Sequence, residues 1–313
     1  MLVGERALIQ RIRRAAGPPA APGRGIGDDC AVLQLPRGHE ALITTDFTLE
    51  NVHFRREWHP AESVGHRCLA RGLSDIAAMG GVPHAAFLSL ALPRDEDQLW
   101  VEEFLSGLLD LAERYEVRLA GGDTAQSPGG VLADIVLFGS VPKGKAVLRS
   151  GARIGDFVYV TGFLGKSSRT LSQLAGGERL RTTKAHRRHF YPEPRVHVGG
   201  FLREKKIATA MIDTSDGLSV DLQHICHESG VGAVVYPDAL PRLPGKRGLQ
   251  FALHGGEDYE LLFTARPNKL VPRQIRDVAV TRIGEIIAGR SIYLATRKGR
   301  IQPLEVKGWE HFR

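Results

Sequence analysis

One pattern constrains the fold of this chain more than any other feature. A short apolar run ends on an Asp framed by Gly, Ser or Thr, and a loop or helical segment follows. It stands at 41–46 (ALITTD), at 117–123 (VRLAGGD) and at 208–213 (ATAMID). Apolar runs of this length, bounded by turn-forming residues, read as strands. Strand ends are where open α/β sheets place their ligand sites.

The rest of the chain alternates in the same way. Residues 1–16 have helical spacing, with Leu2, Leu8, Ile9 and Ile12 among Arg6, Arg11, Arg13 and Arg14. In 63–79, Val64, Cys68, Leu69, Leu73 and Ile76 share a helical face. A long amphipathic helix is predicted over 95–115, with Leu99, Phe104, Leu105, Leu108, Leu109 and Ala112 on its apolar side. Residues 41–45 read as a buried strand, and 85–92, 133–141, 157–161, 233–236 and 259–264 as further strands. Segments 164–175, 196–204 and 218–229 read as helices. The apolar pattern breaks around 143–155, where a domain boundary is placed. A chain of 313 residues suits two domains at ~100–200 residues each. The expected class is therefore α/β (α+β) in two domains, 1–145 and 146–313.

Charge supports two unlike halves. The net charge is +7, but residues 1–150 sum to −3 and residues 151–313 to +10. A basic balance invites a nucleic-acid reading. Its best support is 179–195, where Arg187, Arg188, His189, Phe190 and Tyr191 mix cations with aromatics. That is a single patch with no reader motif, and a solvated helix face explains it. Cys30, Cys68 and Cys226 are widely spaced, which argues against a disulfide framework and for a reducing compartment. No apolar run approaches the ~18 residues of a membrane span. The N-terminal segment lacks the apolar stretch of a signal peptide. Cytoplasm is the default expectation.

The acidic motifs carry the chemistry. They are Asp28-Asp29 after Gly27, Asp46 after Thr44-Thr45, Asp75 after Ser74, Asp123 after Gly121-Gly122, and Asp213-Thr214-Ser215-Asp216-Gly217. Each has a plainer explanation alone: a turn at Asp28-Asp29, a helix cap at Asp75 or Asp216. Five such sites exceed what capping requires. Converging carboxylates raise one another's pKa unless cations neutralise them. Oxygen donors of this kind suit Mg²⁺, which keeps waters and substrate phosphates as further ligands. No His/Cys set has zinc spacing. The combination points to nucleotide chemistry.

Two phosphate-loop lookalikes fail. Gly165-Lys166-Ser167 resembles the end of a Walker A loop, but Val160 stands where that loop needs Gly. Gly23-Arg24-Gly25-Ile26-Gly27 has no strand leading into it and lacks the dinucleotide spacing.

The motifs GIGDDCAVL (25–33), TTDFTLENVHF (44–54), LSDIAAMGG (73–81), GGDT (121–124), LRSGARIGDFVYVTGFLGKS (148–167), IDTSDGLSVDLQHI (212–225) and GGEDYELLFT (255–264) occur in one order, with GWEHF (308–312) closing the chain. In sequence and order they resemble the thiamine-monophosphate kinase family, within the aminoimidazole-ribonucleotide synthetase-like superfamily. The resemblance implies a two-domain fold of mixed sheets with helices packed on them. It implies an N-terminal domain that binds metal and ATP and forms a homodimer. The C-terminal domain would complete the nucleotide and substrate site. The implied reaction is ATP-dependent phosphorylation of thiamine monophosphate to thiamine diphosphate, with no nucleic-acid or membrane partner.

The resemblance also implies site residues. Asp29, Thr44, Thr45, Asp46, Asp75, Asp123, Asp213 and Asp216 match positions that hold several Mg²⁺ ions. Of these, Asp46, Asp75, Asp123 and Asp213 are the expected catalytic carboxylates. Gly122, Asp123, Arg149 and Ser215 match ATP contacts, and Tyr115 sits near a position that stacks on adenine. His53, Glu257 and Trp309 match substrate contacts. The chain departs from the family pattern at Phe47, where a small polar residue is common. It departs again at Arg71-Gly72, in place of the more usual Val-Asn, and at Ala125-Gln126-Ser127 after the GGDT core.

The neighbouring families fit less well. Aminoimidazole-ribonucleotide synthetase would show Gly-Thr-Lys where this chain has Phe47-Thr48-Leu49. Selenophosphate synthetase would need a reactive Cys beside a Lys, and Cys30 has no adjacent Lys. A hydrogenase-maturation relative would end in a reactive Cys, whereas this chain ends in His311-Phe312-Arg313.

Overall fold

A computed structural model describes residues 4–17, 26, 30–31, 33–180, 183, 185–296 and 299–308. The chain divides into two compact units. The N-terminal unit comprises residues 1–76 and 82–144, and the C-terminal unit residues 77–81 and 145–313.

The N-terminal unit begins with helix α1 (Glu5–Ala15) and strand β1 (His39–Leu49). Helix α2 (Ala61–Ala78), β2 (Val82–Leu92), α3 (Gln98–Arg114), β3 (Arg118–Gln126) and β4 (Leu132–Pro142) follow. The four strands form one sheet in the order β1-β4-β2-β3. β4 runs antiparallel to β1 and β2, while β2 and β3 are parallel.

The predicted face of α2 is the buried one: Val64, Cys68, Leu69, Leu73 and Ile76 are at most 1% exposed. Helix α3 starts at Asp97, whose side chain accepts from the Leu99 amide at 3.2 Å. That satisfies one of the amide donors left over at a helix start. Its buried stripe is Val101, Phe104, Leu105, Leu108, Leu111 and Ala112. Leu99, assigned to the apolar side from sequence, is instead 58% exposed, because the buried stripe begins two residues later at Val101. The two helices touch backbone to backbone through Gly65 and Gly107. A Cβ on Gly65 would lie 1.8 Å from the Phe104 carbonyl oxygen, and one on Gly107 1.9 Å from that of Glu62. Mid-helix glycine costs about 1 kcal/mol relative to Ala, and this close crossing is what it permits.

Two sequence readings change here. β1 is an edge strand with an open side rather than a buried one; Ile43 is 70% and Phe47 54% exposed. The strands also do not stop at their Asp residues. Asp46 lies within β1 and Asp123 within β3, and only Asp213 closes its strand. The ladder continues past both Asp residues through backbone pairing, to which side-chain polarity is indifferent.

The C-terminal unit contains β5 (Phe157–Thr161), α4 (Lys166–Ala175), α5 (Arg187–Phe190), α6 (Val196–Glu204), β6 (Ala208–Asp213) and α7 (Leu218–Ser229). Then come β7 (Gly232–Val235), α8 (Gly245–His254), β8 (Leu261–Ala265), β9 (Gln274–Ile275), β10 (Val278–Ile287), β11 (Ile292–Ala295) and β12 (Ile301–Pro303). The sheet path is β12-β11-β7-β10-β5-β8-β6, with β9 paired to β10. The sheet is mixed: β11 and β7 are parallel, and the other pairs are antiparallel. Val158, Val160, Ile212, Leu262 and Ile283 pack with Leu218, Leu222 and Ile225 of α7 in one core. Among the described residues no helix is long and apolar enough to cross a membrane.

Candidate active site

In the N-terminal unit the pleat sorts the acidic motif by side, because successive strand side chains point to opposite faces. Thr44 and Asp46 stand opposite Leu137 and Ile135 of β4, both fully buried, on the side packed by α2. Asp75 projects from α2 toward them and accepts a hydrogen bond from the Thr44 hydroxyl. Burial, and then the charge of Asp75, push the Asp46 carboxyl up to about 7. Arg71 opposes that rise, and Asp134 adds to it.

Arg71 lies one helical turn before Asp75, so both side chains leave the same face of α2. Its guanidinium donates to the Phe47 carbonyl at 2.7 Å. Cys68, a further turn back, is fully buried, and burial pushes its thiol up to about 12.

Thr45 points to the other side of the sheet and donates to Asp134 at 2.7 Å. Asp123 is also on that side. The register sets Phe47, Asp134, Ser89 and Asp123 in one row across the four strands. Asp123 accepts from the Thr124 amide at 2.8 Å. The sheet thus divides the expected ligands of this unit: Thr44, Asp46 and Asp75 on the helix side, Thr45 and Asp123 on the open side.

Gly122 has a strict backbone reason. Its φ is +142°, and a Cβ there would lie 1.8 Å from the Leu88 carbonyl oxygen. Tyr115 ends α3 at the far end of β3 from Asp123. Arg118 and Asp123 are five residue steps apart along the strand, about 16 Å. His53 sits in the turn after β1, where its Nδ1 accepts from the Leu49 amide at 3.0 Å. Asp29 lies outside the described residues.

In the C-terminal unit two loops interlock by their backbones. The Glu257 amide donates to the Ser215 carbonyl at 2.7 Å, and the Tyr259 amide to that of Thr214 at 3.0 Å. A Cβ on Gly256 would come within 2.4 Å of the Ser215 oxygen. Glu257 and Tyr259 adopt left-handed backbone at φ +63° and +49°. Such conformations cost about 1–3 kcal/mol each and cluster at functional sites. The interlock holds Asp213, Ser215 and Asp216 at the end of β6.

Sequence reasoning passed over Asp221. It is 1% exposed and accepts from the Gly217 amide at 3.1 Å. Burial, then Asp213 and Asp216, hold its carboxyl well above the ordinary range. Arg149 is exposed, on a segment fastened to α7: Ser229 Oγ donates to the Arg149 carbonyl and accepts from the Gly151 and Ala152 amides, each at 3.2 Å. At the C-terminal end, the Lys307 carbonyl accepts from Ser219 Oγ at 2.7 Å. A Cβ on Gly308 would meet the Asp216 carbonyl oxygen at 2.6 Å, so this segment runs beside the Asp216 loop. Trp309 lies outside the described residues.

The GGEDYE motif is partly architectural. Asp258 accepts from the amides of Gly165, at 2.6 Å, and Ser167, at 3.3 Å, so its carboxylate fills the start of α4. That is where a phosphate would sit in a true Walker A loop. Burial pushes Asp258 up to about 7 against those two donors. Glu260 forms a buried two-pronged pair with Arg195 at 2.6 and 2.7 Å and accepts from Thr161 at 2.7 Å. The basic segment therefore spends Arg195 on the interior.

Among the described residues no group of three or more His, Cys, Asp or Glu side chains converges as a metal-holding set. Asp46 and Asp75 stand in one unit, and Asp213 and Asp216 in the other.

A family model for AIR synthase related protein, N-terminal domain, matches residues 27–141. The chain is 39% identical to thiamine-monophosphate kinase of Salmonella typhimurium, over 100% of this chain and 99% of that one. The chain belongs to the thiamine-monophosphate kinase family. The fold agrees. The crystal structure of thiamine-monophosphate kinase from Stenotrophomonas maltophilia superposes with a TM-score of 0.82 at 35% identity, covering 94% of this chain and 97% of that one. AaThiL complexed with AMPPCP and TMP superposes at 0.79 with 32% identity, over 100% of this chain and 99% of that one.

Proposed function

We infer that the chain catalyses ATP-dependent phosphorylation of thiamine monophosphate to thiamine diphosphate. Full-length identity with a thiamine-monophosphate kinase carries this reading, and the likeness to a structure that binds an ATP analogue and TMP supports it. The direct test incubates the purified protein with ATP, Mg²⁺ and thiamine monophosphate. Thiamine diphosphate is expected, and its absence from folded protein refutes the reading.

The donor chemistry fits Mg²⁺. Asp46 and Asp75 are paired carboxylates with the Thr44 hydroxyl beside them, and the rise of Asp46 marks a negative site that a cation would relieve. Thr44, Asp46 and Asp75 in the N-terminal unit and Asp213 and Asp216 in the C-terminal unit are the residues we assign to Mg²⁺. Thr45, Asp29 and Asp123 complete the proposed ligands. Bound Mg²⁺ supplies positive charge against the transferring phosphoryl group. Arg149, Ser215, Gly122 and Tyr115 are assigned to ATP, and His53, Glu257 and Trp309 to thiamine monophosphate.

The acceptor is a phosphate oxygen, already ionised at neutral pH. It needs no strong general base, and the work of the protein is alignment and charge compensation. The reading is a direct in-line transfer; a covalent phospho-Asp or phospho-His after incubation with ATP overturns it. The domain roles proposed are metal and ATP binding for 1–145, and completion of the nucleotide and substrate site for 146–313.

We further propose a homodimer through the open side of the four-stranded sheet. Ile43 and Phe47 are exposed there, beside half-buried Phe87, Val136 and Phe138. Contiguous exposed apolar surface of this kind marks association sites. Light scattering should give a dimer for the wild type and a monomer for Ile43→Asp/Phe47→Asp. The cytoplasm is the proposed location, where ATP is available and the three free cysteines stay reduced.

A further inference from the structure

Arg71 is a cation set into an acidic site. It leaves α2 on the face that carries Asp75, four residues on, and reaches β1 at the residue after Asp46. β1 is a sheet edge, so backbone groups pointing away from β4 need other partners. The 2.7 Å bond to the Phe47 carbonyl takes up one of them and anchors the guanidinium beside the Thr44–Asp46–Asp75 cluster. A guanidinium has five donors and cannot be deprotonated in a protein. Its charge is therefore permanent. Fixed positive charge discourages a second cation and favours a phosphate oxygen.

We propose that Arg71 is the built-in counter-charge of this cluster and sets its balance between divalent cation and phosphate anion. This rests on the kinase reading above. It makes Arg71 a specificity-determining residue for the metal and nucleotide, beyond its tie to the edge strand.

The test separates charge from the backbone tie. Arg71→Gln keeps a side-chain N–H donor, on a shorter side chain, and loses the charge. Arg71→Met is a second neutral variant, and Arg71→Lys keeps the charge. Free Mn²⁺ is followed by electron paramagnetic resonance in nucleotide-free protein, and AMPPCP binding by calorimetry. Asp75→Asn identifies the Mn²⁺ that belongs to the cluster. The two neutral variants should bind that Mn²⁺ roughly threefold to tenfold more tightly and AMPPCP correspondingly less tightly, with Arg71→Lys near wild type. Mn²⁺ affinity that is unchanged or weaker in the neutral variants overturns the proposal. So does a Lys variant that behaves like the neutral ones, or Mn²⁺ binding untouched by Asp75→Asn. Wild-type turnover of thiamine monophosphate, measured on the same preparation, judges the kinase reading separately. Its failure would leave the metal affinities free to decide the role of Arg71.

Discussion

Replacing Asp46 with Asn should make the metal-free protein more stable while destroying its activity. In the folded chain Asp46 keeps its proton up to about pH 7, whereas the ordinary value is 3.8. Between those values the folded state binds more protons than the unfolded state. Stability therefore falls as pH rises from about 4 to about 7, and the penalty is constant above that. The full shift corresponds to an upper figure of about 4 kcal/mol. Asp46 is only partly buried, so solvent screening reduces this to about 1–3 kcal/mol. Asn is neutral and avoids the penalty. The variant should therefore gain most at pH 8, and clearly less at pH 5. Urea unfolding in EDTA at both pH values measures this, followed by tryptophan fluorescence; Trp58 and Trp100 both lie in the N-terminal unit. Turnover should fall by roughly two orders of magnitude or more, the scale for losing one charge-stabilising group. A variant no more stable than wild type at pH 8, or with the same gain at both pH values, refutes the electrostatic reasoning.

Three further outcomes follow from the same geometry. Proton and metal compete for Asp46, so Mg²⁺ affinity measured calorimetrically should weaken about tenfold between pH 8 and pH 6; a flat profile counts against Asp46 as a ligand. Glu260→Gln removes the charge of Arg195's buried two-pronged partner, leaving the longer 3.9 Å pairing with Glu193, and chemical denaturation should show a loss of about 3–5 kcal/mol. A loss under about 1 kcal/mol would mean the pair is dispensable. Gly256→Ala forces a methyl group to within 2.4 Å of the Ser215 carbonyl unless the loop moves, so kcat/KM should drop about tenfold or more, and wild-type kinetics would show that the interlocked loops do not position the site.

The sequence by itself determined the order of strands and helices through most of the chain, because hydrophobic periodicity is local. The buried face of α2 is the one its spacing predicts. Sequence also singled out the acidic motifs, because short carboxylates beside Gly, Ser and Thr are visible without a fold. It could not say which carboxylates serve chemistry and which serve architecture, since both tasks use the same residue types. Within one motif, Glu257 bends the loop against Ser215, Asp258 caps α4, and Glu260 pairs with Arg195 inside the unit. Only tertiary structure decided that division. It also brought Asp134 and Arg71 to Asp46 from far along the chain. Strand register placed Thr45 and Asp123 on the side of the sheet away from Thr44 and Asp46. The physical reason is the same throughout: a charge acquires its role from what it faces, and what it faces is set by pairing between distant segments, which no local pattern encodes.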